Sequence, residues 1–324
     1  MTGVVRVGTR GSALAVAQTQ TIINALTARG AEVEMITVTT HGDRSTESLS
    51  TLGGTGVFAS ALRDALLAGE CDVVVHSLKD LPTAPTPGLA IGAVPKRADA
   101  RDALCARDGL TLDTLPEGAR VGTGSPRRAA QLLARRPDLN IVDIRGNVDT
   151  RLGRVFDESQ PDRLDAVVLA AAGLERLGRS DVVTEFLSLS GWPTAPGQGA
   201  LALEVRAGDQ KLVAALDHKP TRTNVEAERA VLAQLEAGCA APIAAHAFID
   251  DGLLFLDARV YAPDGSAKVT SSHALYVSDS PTPAQDVAGR VSAELIALGA
   301  ASIAPLDPSS GPAAGLENDA PGTD

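Results

Sequence analysis

The chain has 324 residues, of which 44% are hydrophobic and 2% aromatic, and its formal net charge is -11. That length and apolar content suit two or three domains with cores of Ala, Val, Leu and Ile, while the acidic balance excludes a general binder of nucleic acid or acidic membrane and requires any anion site to be local. No apolar signal core opens the chain and no apolar run approaches membrane-spanning length, so a cytoplasmic protein is expected.

Residues 4–7 read as a short strand, Gly8-Thr9-Arg10-Gly11 as a turn, and Ser12 as the cap of a helix running to about Ala28. This places Arg10 at a strand's carboxyl end, with Ser12 and Gln18 on the helix. A second strand covers residues 34–39. The polar, glycine-containing segment 40–56 is either a surface loop or a lid. Residues 58–68, beginning with Phe58, return to helix, and Asp72-Val73-Val74-Val75-His76 is a buried strand ending in Ser77-Leu78-Lys79-Asp80. Pro82, Pro85 and Pro87 then forbid regular structure.

Around residues 95–99 the chain crosses into a second domain, whose first strand is 103–106. In Gly122-Thr123-Gly124-Ser125-Pro126-Arg127-Arg128, Ser125 is a good N-cap and Pro126 a good first helical residue, so the two arginines fall in a helix's first turn. Cations at the positive end of a helix are electrostatically misplaced. They make sense beside an anion held by backbone N–H groups and forked guanidinium contacts; the alternative is a solvated pair. Two more strand-turn-helix units repeat the arrangement: residues 140–144 lead to Arg145 and to a helix capped by Asn147 that carries Arg151, and residues 165–170 lead to Arg176. In open α/β sheets, ligands bind at that carboxyl edge.

Residues 193–199 form a turn-rich hinge, after which the apolar strand 200–205 is able to rejoin the first sheet. Thr223-Asn224-Val225-Glu226 reads as a capping box opening a helix over 224–237, ended by Gly238. Cys239 therefore lies on a tight loop just past a helix C-terminus, where the dipole raises a thiol's pKa. It is a poor thiolate nucleophile, and is either a permanent covalent anchor or a small apolar filler. Strands 244–249 and 253–260 meet at Asp250-Asp251-Gly252, more strand reaches about residue 277, and a helix covers about 282–298. The proline-, glycine- and acid-rich tail from Pro305 is expected to be disordered. Cys71 and Cys105 sit in strand-like apolar surroundings and read as core thiols, and the five histidines show no metal-ligand spacing, so no metal is expected.

The crevice residues are thus Arg10, Lys79, Asp80, Arg127, Arg128, Arg145, Arg151 and Arg176, with Ser12 and Gln18. So many cations in an acidic protein call for a ligand with several carboxylates or phosphates. Asp80 is the one carboxylate among them, suited to moving protons or stabilising a developing cation, or else forming a salt bridge to Lys79 or an arginine.

Those stretches, together with Thr9-Arg10-Gly11-Ser12-Ala13-Leu14-Ala15, Val75-His76-Ser77-Leu78-Lys79-Asp80-Leu81-Pro82, Arg145-Gly146-Asn147-Val148-Asp149-Thr150-Arg151, Ala171-Ala172-Gly173-Leu174-Glu175-Arg176-Leu177-Gly178, Pro196-Gly197-Gln198-Gly199-Ala200 and Gly238-Cys239, occur in this order. To about residue 300 the chain resembles the hydroxymethylbilane synthase, or porphobilinogen deaminase, family. The resemblance implies two periplasmic-binding-protein-like α/β domains joined by a hinge, plus a smaller C-terminal α+β domain. The division is 1–95 plus 196–215, then 96–195, then 216–304 with the cofactor cysteine, and a tail of 305–324. It implies a dipyrromethane cofactor, assembled from the substrate porphobilinogen and attached to Cys239 through a thioether. Lys79, Asp80, Ser125, Arg127, Arg128 and Arg151 are then expected at the cofactor, and Arg10, Ser12, Gln18, Phe58, Arg145, Arg151 and Arg176 at the substrate.

The implied reaction is loss of ammonia from porphobilinogen and attack on the resulting cation by the free α-carbon of the bound terminal ring. Four such condensations precede hydrolytic release of linear 1-hydroxymethylbilane, with Asp80 as the catalytic residue. A monomer is implied, with hand-over of product to uroporphyrinogen III synthase. The chain departs from the family pattern at Thr55, where lysine is common, at Ser60 and Ala61, which replace a Lys-Glu pair, and at Ala240, Ala241 and Ala244 around the cysteine. These departures bear on charged lid residues rather than on the core chemistry. The rival readings are a bilobal solute-binding protein for a polyanion, which normally needs export and has no use for the Cys239 loop, and a regulator's effector domain, for whose helix-turn-helix there is no room before the first strand.

Overall fold

The computed structural model describes residues 3–38, 57–235 and 241–306. In chain order it contains β1 (Val5–Arg10), α1 (Ala13–Thr27), β2 (Val33–Val38), α2 (Val57–Leu67), β3 (Val73–Ser77), β4 (Leu89–Ala93), β5 (Asp102–Ala106) and β6 (Arg120–Gly122). There follow α3 (Pro126–Arg135), β7 (Asn140–Val142), α4 (Val148–Phe156), β8 (Ala166–Ala170), α5 (Ala171–Arg176), β9 (Glu185–Leu187) and β10 (Leu201–Arg206). The remainder is α6 (Lys219–Gln234), β11 (Ile243–Asp250), β12 (Leu253–Tyr261), β13 (Lys268–Tyr276), α7 (Pro283–Ala297) and α8 (Ala300–Ile303).

Two five-stranded sheets share one plan. The first has the order β2-β1-β3-β10-β4 and the second β7-β6-β8-β5-β9. In each, the first three strands are parallel and the fourth runs antiparallel to both its neighbours. Parallel strands need crossover helices, which the βα repeats supply. The helices begin where short polar side chains replace missing backbone acceptors: Ser12 accepts from the Ala15 N–H, Ser125 from Arg128 and Asn147 from Thr150.

The central strands β5 and β8 of the second sheet are buried on both faces. Ala103 and Cys105 of β5 join one apolar cluster, while Leu104 and Ala106 join another on the opposite face, as period-two alternation requires. Cys71 and Cys105 are both fully buried, and burial raises both thiols, that of Cys105 to about 12. They are core residues, as their apolar surroundings suggest.

The third sheet, β11-β12-β13, is antiparallel, and α6 and α7 close its apolar face around Val231, Leu254, Val287 and Val291. The β11–β12 turn takes Asp251 and Gly252 to φ of 46° and 77°, the left-handed pair that the Asp-Gly sequence favours.

One helix start differs from expectation. The capping box at Thr223–Glu226 lies inside α6, which opens five residues earlier at Lys219, with the His218 imidazole accepting from Thr221 N–H and Pro220 in the first turn. A proline at that position is preorganised for helix, and a histidine ring nitrogen does the work usually given to a hydroxyl or carboxylate.

Two crossing segments join the first two sheets, and they lie side by side: Ala98 N donates to Gly199 O at 3.3 Å. Gly199 has φ +85°, and a Cβ there would stand 2.8 Å from Ala98 O and 3.0 Å from Asp99 O. Both atoms are backbone and have nowhere to go. Gly199→Ala is expected to cost roughly 1–3 kcal/mol, read as a lowered thermal midpoint; a parent-like midpoint would show that the crossing yields. Glu228 of α6 fastens the same region to the third sheet, accepting from Arg97 Nη1 at 2.6 Å, Gly197 N at 2.7 Å and Ala247 N at 2.8 Å. Burial opposes its ionisation, but Arg97 and His246 bring its pKa to about 2.

Candidate active site

The parallel strands of each sheet present their carboxyl ends to the residues singled out above. Arg10 ends β1. Gln18 on α1 is buried and donates through Nε2 to Ser77 Oγ at the end of β3, at 2.8 Å. β3 then passes into a short 3-10 turn, Leu78–Asp80, held from two sides. Leu78 N donates to Ala200 O, and Arg229 of α6 donates to the carbonyls of Leu78, Leu81 and Pro82. With its backbone fixed, the turn sends Lys79 inward and leaves Asp80 exposed. Among the described residues no hydrogen bond or ion pair engages the Asp80 carboxylate, so a salt bridge to Lys79 is not what holds it.

Arg127 and Arg128 do occupy the first turn of α3, but their guanidiniums are not solvated: they are 4% and 6% exposed. Both turn onto Asp102, the first residue of β5. Arg127 Nη1 reaches Asp102 Oδ2 at 2.9 Å, and Arg128 reaches Oδ1 through Nε at 3.0 Å and Nη2 at 2.6 Å. Trp192 Nε1 donates to Oδ2 at 2.9 Å and Gln198 Nε2 to Oδ1 at 2.8 Å. Burial opposes ionisation of Asp102, but the two arginines hold its carboxyl well below the usual carboxylate range. Asp80 is therefore not the only carboxylate among the cations. Asp102 was hidden because it stands at the head of an apolar strand with nothing local to mark its partners.

Gln198 is the second residue that sequence reasoning left without a role. Its side-chain oxygen accepts from Lys79 Nζ at 3.2 Å and Arg128 Nη2 at 3.4 Å. Its backbone carbonyl accepts from Arg97 Nε at 2.7 Å, and the next carbonyl, Gly199 O, accepts from Arg176 Nη2 at 3.0 Å. The crossing segment thus gathers Lys79 of the first sheet with Arg128 and Arg176 of the second. A glutamine between two glycines of positive φ was the one available signal.

Arg151 on α4 donates to Gly146 O at 2.9 Å, and Arg145 pairs with Asp143 at 3.1 Å on the surface. Burial lowers the pKa of Arg151, as do Arg128 and Arg145, with Asp143 and Asp80 opposing. Arg151 therefore feels groups from both sheets. Lys79 is brought down to about 8, by burial first and then by Arg128, against the pull of Asp80 and Asp102. Burial likewise lowers Arg127 and Arg176. Ser12 and Ser125 serve as helix caps at the same edge.

The cluster carries more buried positive charge than its one buried carboxylate offsets, and Arg127 Nε is buried without a hydrogen-bond partner among the described residues. Charge left uncompensated in this way is costly unless an anion joins it. The donor set, forked and partly unengaged, suits carboxylates. Cys239, the 40–56 segment with Thr55, and Ala240 lie outside the described residues, as does the side chain of Phe58, whose backbone lies in α2. Among the described residues no group of three or more His, Cys, Asp or Glu is placed to hold a metal ion, and no helix is long and apolar enough to cross a membrane.

A family model described as porphobilinogen deaminase, dipyromethane cofactor binding domain, matches residues 5–214, and one described as porphobilinogen deaminase, C-terminal domain, matches residues 222–297. The chain belongs to the porphobilinogen deaminase family. Among its relatives, the porphobilinogen deaminase of Leifsonia xyli subsp. xyli is 67% identical over 318 residues, covering 94% of this chain and 95% of that one. That of Cutibacterium acnes is 53% identical over 324 residues, covering 93% and 97%. Among solved structures, the methionine binding protein MetQ aligns with a TM-score of 0.42 at 12% identity, over 66% of this chain and 89% of that one. Porphobilinogen deaminases are hydroxymethylbilane synthases, transferases of tetrapyrrole biosynthesis that use a dipyrromethane cofactor. The Asp102 cluster, Gln198 and the Lys79–Asp80 turn all lie within the cofactor-domain match, and Cys239 lies within the C-terminal one.

Proposed function

We propose that this chain condenses porphobilinogen stepwise onto a dipyrromethane bound through Cys239, and releases 1-hydroxymethylbilane by hydrolysis. The observation that carries this reading is the excess of buried cations around Asp102, set beside the exposed carboxylate of Asp80. Porphobilinogen bears an acetate and a propionate, so substrate, cofactor and growing chain are all polycarboxylates. Lys79, Arg127, Arg128 and Arg151, with Ser125, hold the cofactor's side chains. Arg10, Ser12, Gln18, Arg145 and Arg176, with Phe58 at a pyrrole face, receive the substrate.

When bound, dipyrromethane supplies the free pyrrole α-carbon that attacks the deaminated substrate. Asp80 stabilises positive charge developing at a pyrrole N–H and takes part in the proton transfers, because it is an exposed carboxylate at this edge that no donor among the described residues engages. Arginines remain charged across the working pH range, so they bind and orient without exchanging protons.

The domain division that fits this chemistry is 1–95 plus 196–215 and 96–195 about the crevice, with 216–304 presenting Cys239 and 305–324 as a tail. We place the protein in the cytoplasm as a monomer, handing its product to uroporphyrinogen III synthase. The test is the intact mass of the purified chain before and after porphobilinogen. An excess of two deaminated pyrrole units, laddering upward with substrate, is expected. A bare chain that neither porphobilinogen nor preformed hydroxymethylbilane loads would overturn the proposal in favour of a polyanion-binding protein.

A further inference from the structure

Asp102 receives five hydrogen bonds from four side chains, and through them it reaches Arg127, Arg128 and Lys79. Arg127 and Arg128 meet it directly, and Gln198, which donates to it, accepts from Lys79 with its other amide atom. Gln131 completes the cage, accepting from Arg127 Nη1 at 2.6 Å and donating to Pro193 O at 2.9 Å.

The consequence for each guanidinium differs. Arg128 has Nε and Nη2 on Asp102 and Nη1 on Val168 O, so the protein takes most of its donors. Arg127 is held by Nη1 alone, on Asp102 and Gln131, while its Nε is buried and unpartnered among the described residues. One carboxylate therefore fixes both guanidiniums and leaves the unsatisfied donor on Arg127.

We propose that Asp102 is a positioning residue for this reaction: its buried carboxylate orients Arg127 and Arg128 and, through Gln198, Lys79, so that the donors it leaves unengaged are aligned for the carboxylates of cofactor and substrate. The inference rests on the reading that these cations hold the cofactor. Asp102 touches no reacting atom, and acts by keeping the cluster aligned before any anion arrives, which is what preorganisation requires. It also supplies negative charge beside Lys79. The charged groups facing that ammonium are Asp80 on its own turn, Asp102 on β5, and Arg127 and Arg128 on α3. Removing the Asp102 charge leaves Lys79 with a stronger net repulsion and makes it give up its proton at lower pH.

The experiment follows covalent loading rather than turnover. Chain produced in a host that makes no porphobilinogen is mixed with porphobilinogen, and uptake of the two pyrrole units is timed by intact mass between pH 6 and 10. The parent is expected to load with an alkaline limb near 8, where Lys79 loses its proton. Asp102→Asn is expected to load at least about tenfold more slowly and to move that limb down by roughly one pH unit. Asp102→Glu, which keeps the charge but displaces it by a methylene, restores the limb while loading stays slower than in the parent.

Asp102→Asn protein that is folded and loads at the parent's rate with the parent's limb overturns the proposal, and so does a slowed rate with the limb unmoved, which marks a purely structural residue. Should Asp102→Asn yield no folded chain, Asp102→Glu decides: it keeps the charge but displaces the oxygens that hold Arg127, Arg128 and Gln198, so loading slower than the parent's with the parent's limb supports the proposal and loading at the parent's rate overturns it. A parent chain that never loads would instead defeat the cofactor reading itself.

Discussion

Asp80→Asn is expected to fold like the parent and to bind porphobilinogen, yet to condense it roughly 10²–10⁴-fold more slowly, the range lost when a positioned acid-base group is removed. Stability should barely change, because the turn that carries Asp80 is held through its backbone. Leu78 N is on Ala200 O, and the Arg229 guanidinium spans the carbonyls of Leu78, Leu81 and Pro82. None of these contacts involves the Asp80 side chain. Asparagine keeps the shape and loses the charge, so the deficit falls on the step in which positive charge develops. Single-turnover kinetics with the loaded chain separates that step from binding. A rate within a few-fold of the parent would reduce Asp80 to a structural role.

How far such a site was legible in the sequence depends on whether its determinants are local. The strand-turn-helix units were legible because their signals are short: Ser125 and Pro126 start α3 and Asn147 starts α4 within a residue or two of where local capping rules put them. The start of α6 was misread for the converse reason. A hydroxyl-and-carboxylate box is a recognised opening, whereas a histidine cap such as His218 is rarely one, and Pro220 alone marks the earlier start locally.

At the site, Arg10 ends β1 and the Arg127–Arg128 pair opens α3 as local rules imply, but the partner of that pair is not local. Asp102 lies 25 and 26 residues from the arginines it binds, and Gln198 lies 96 residues from Asp102. A buried polar network of that kind is closed by tertiary packing and leaves no periodicity. It could be suspected only from cost, since several cations brought to one edge need a counter-charge that the sequence reading had not supplied. Arg97 and Arg229 escaped for the same reason: both act on backbone carbonyls far away in sequence.

Cys239→Ala is expected to give a folded chain with no covalent pyrrole mass and no turnover. Elimination supports the choice of cysteine. A thioether needs a thiol within reach of the cofactor, and Cys71 and Cys105 are fully buried in the apolar clusters of the first and second sheets, with burial raising both thiols. Only the third cysteine of the chain remains.

The flanks of residues 236–240 are firmly held, so the substitution should not unfold them. Leu235 is fully buried, Glu228 locks α6 to Arg97, Gly197 and Ala247, and Ile243 pairs with Val260 at the head of β11. Cys71→Ala and Cys105→Ala should cost stability, as cavity-forming changes do, but leave loading intact. Two pyrrole units found on Cys239→Ala, or lost from Cys105→Ala protein that remains folded, would move the anchor elsewhere.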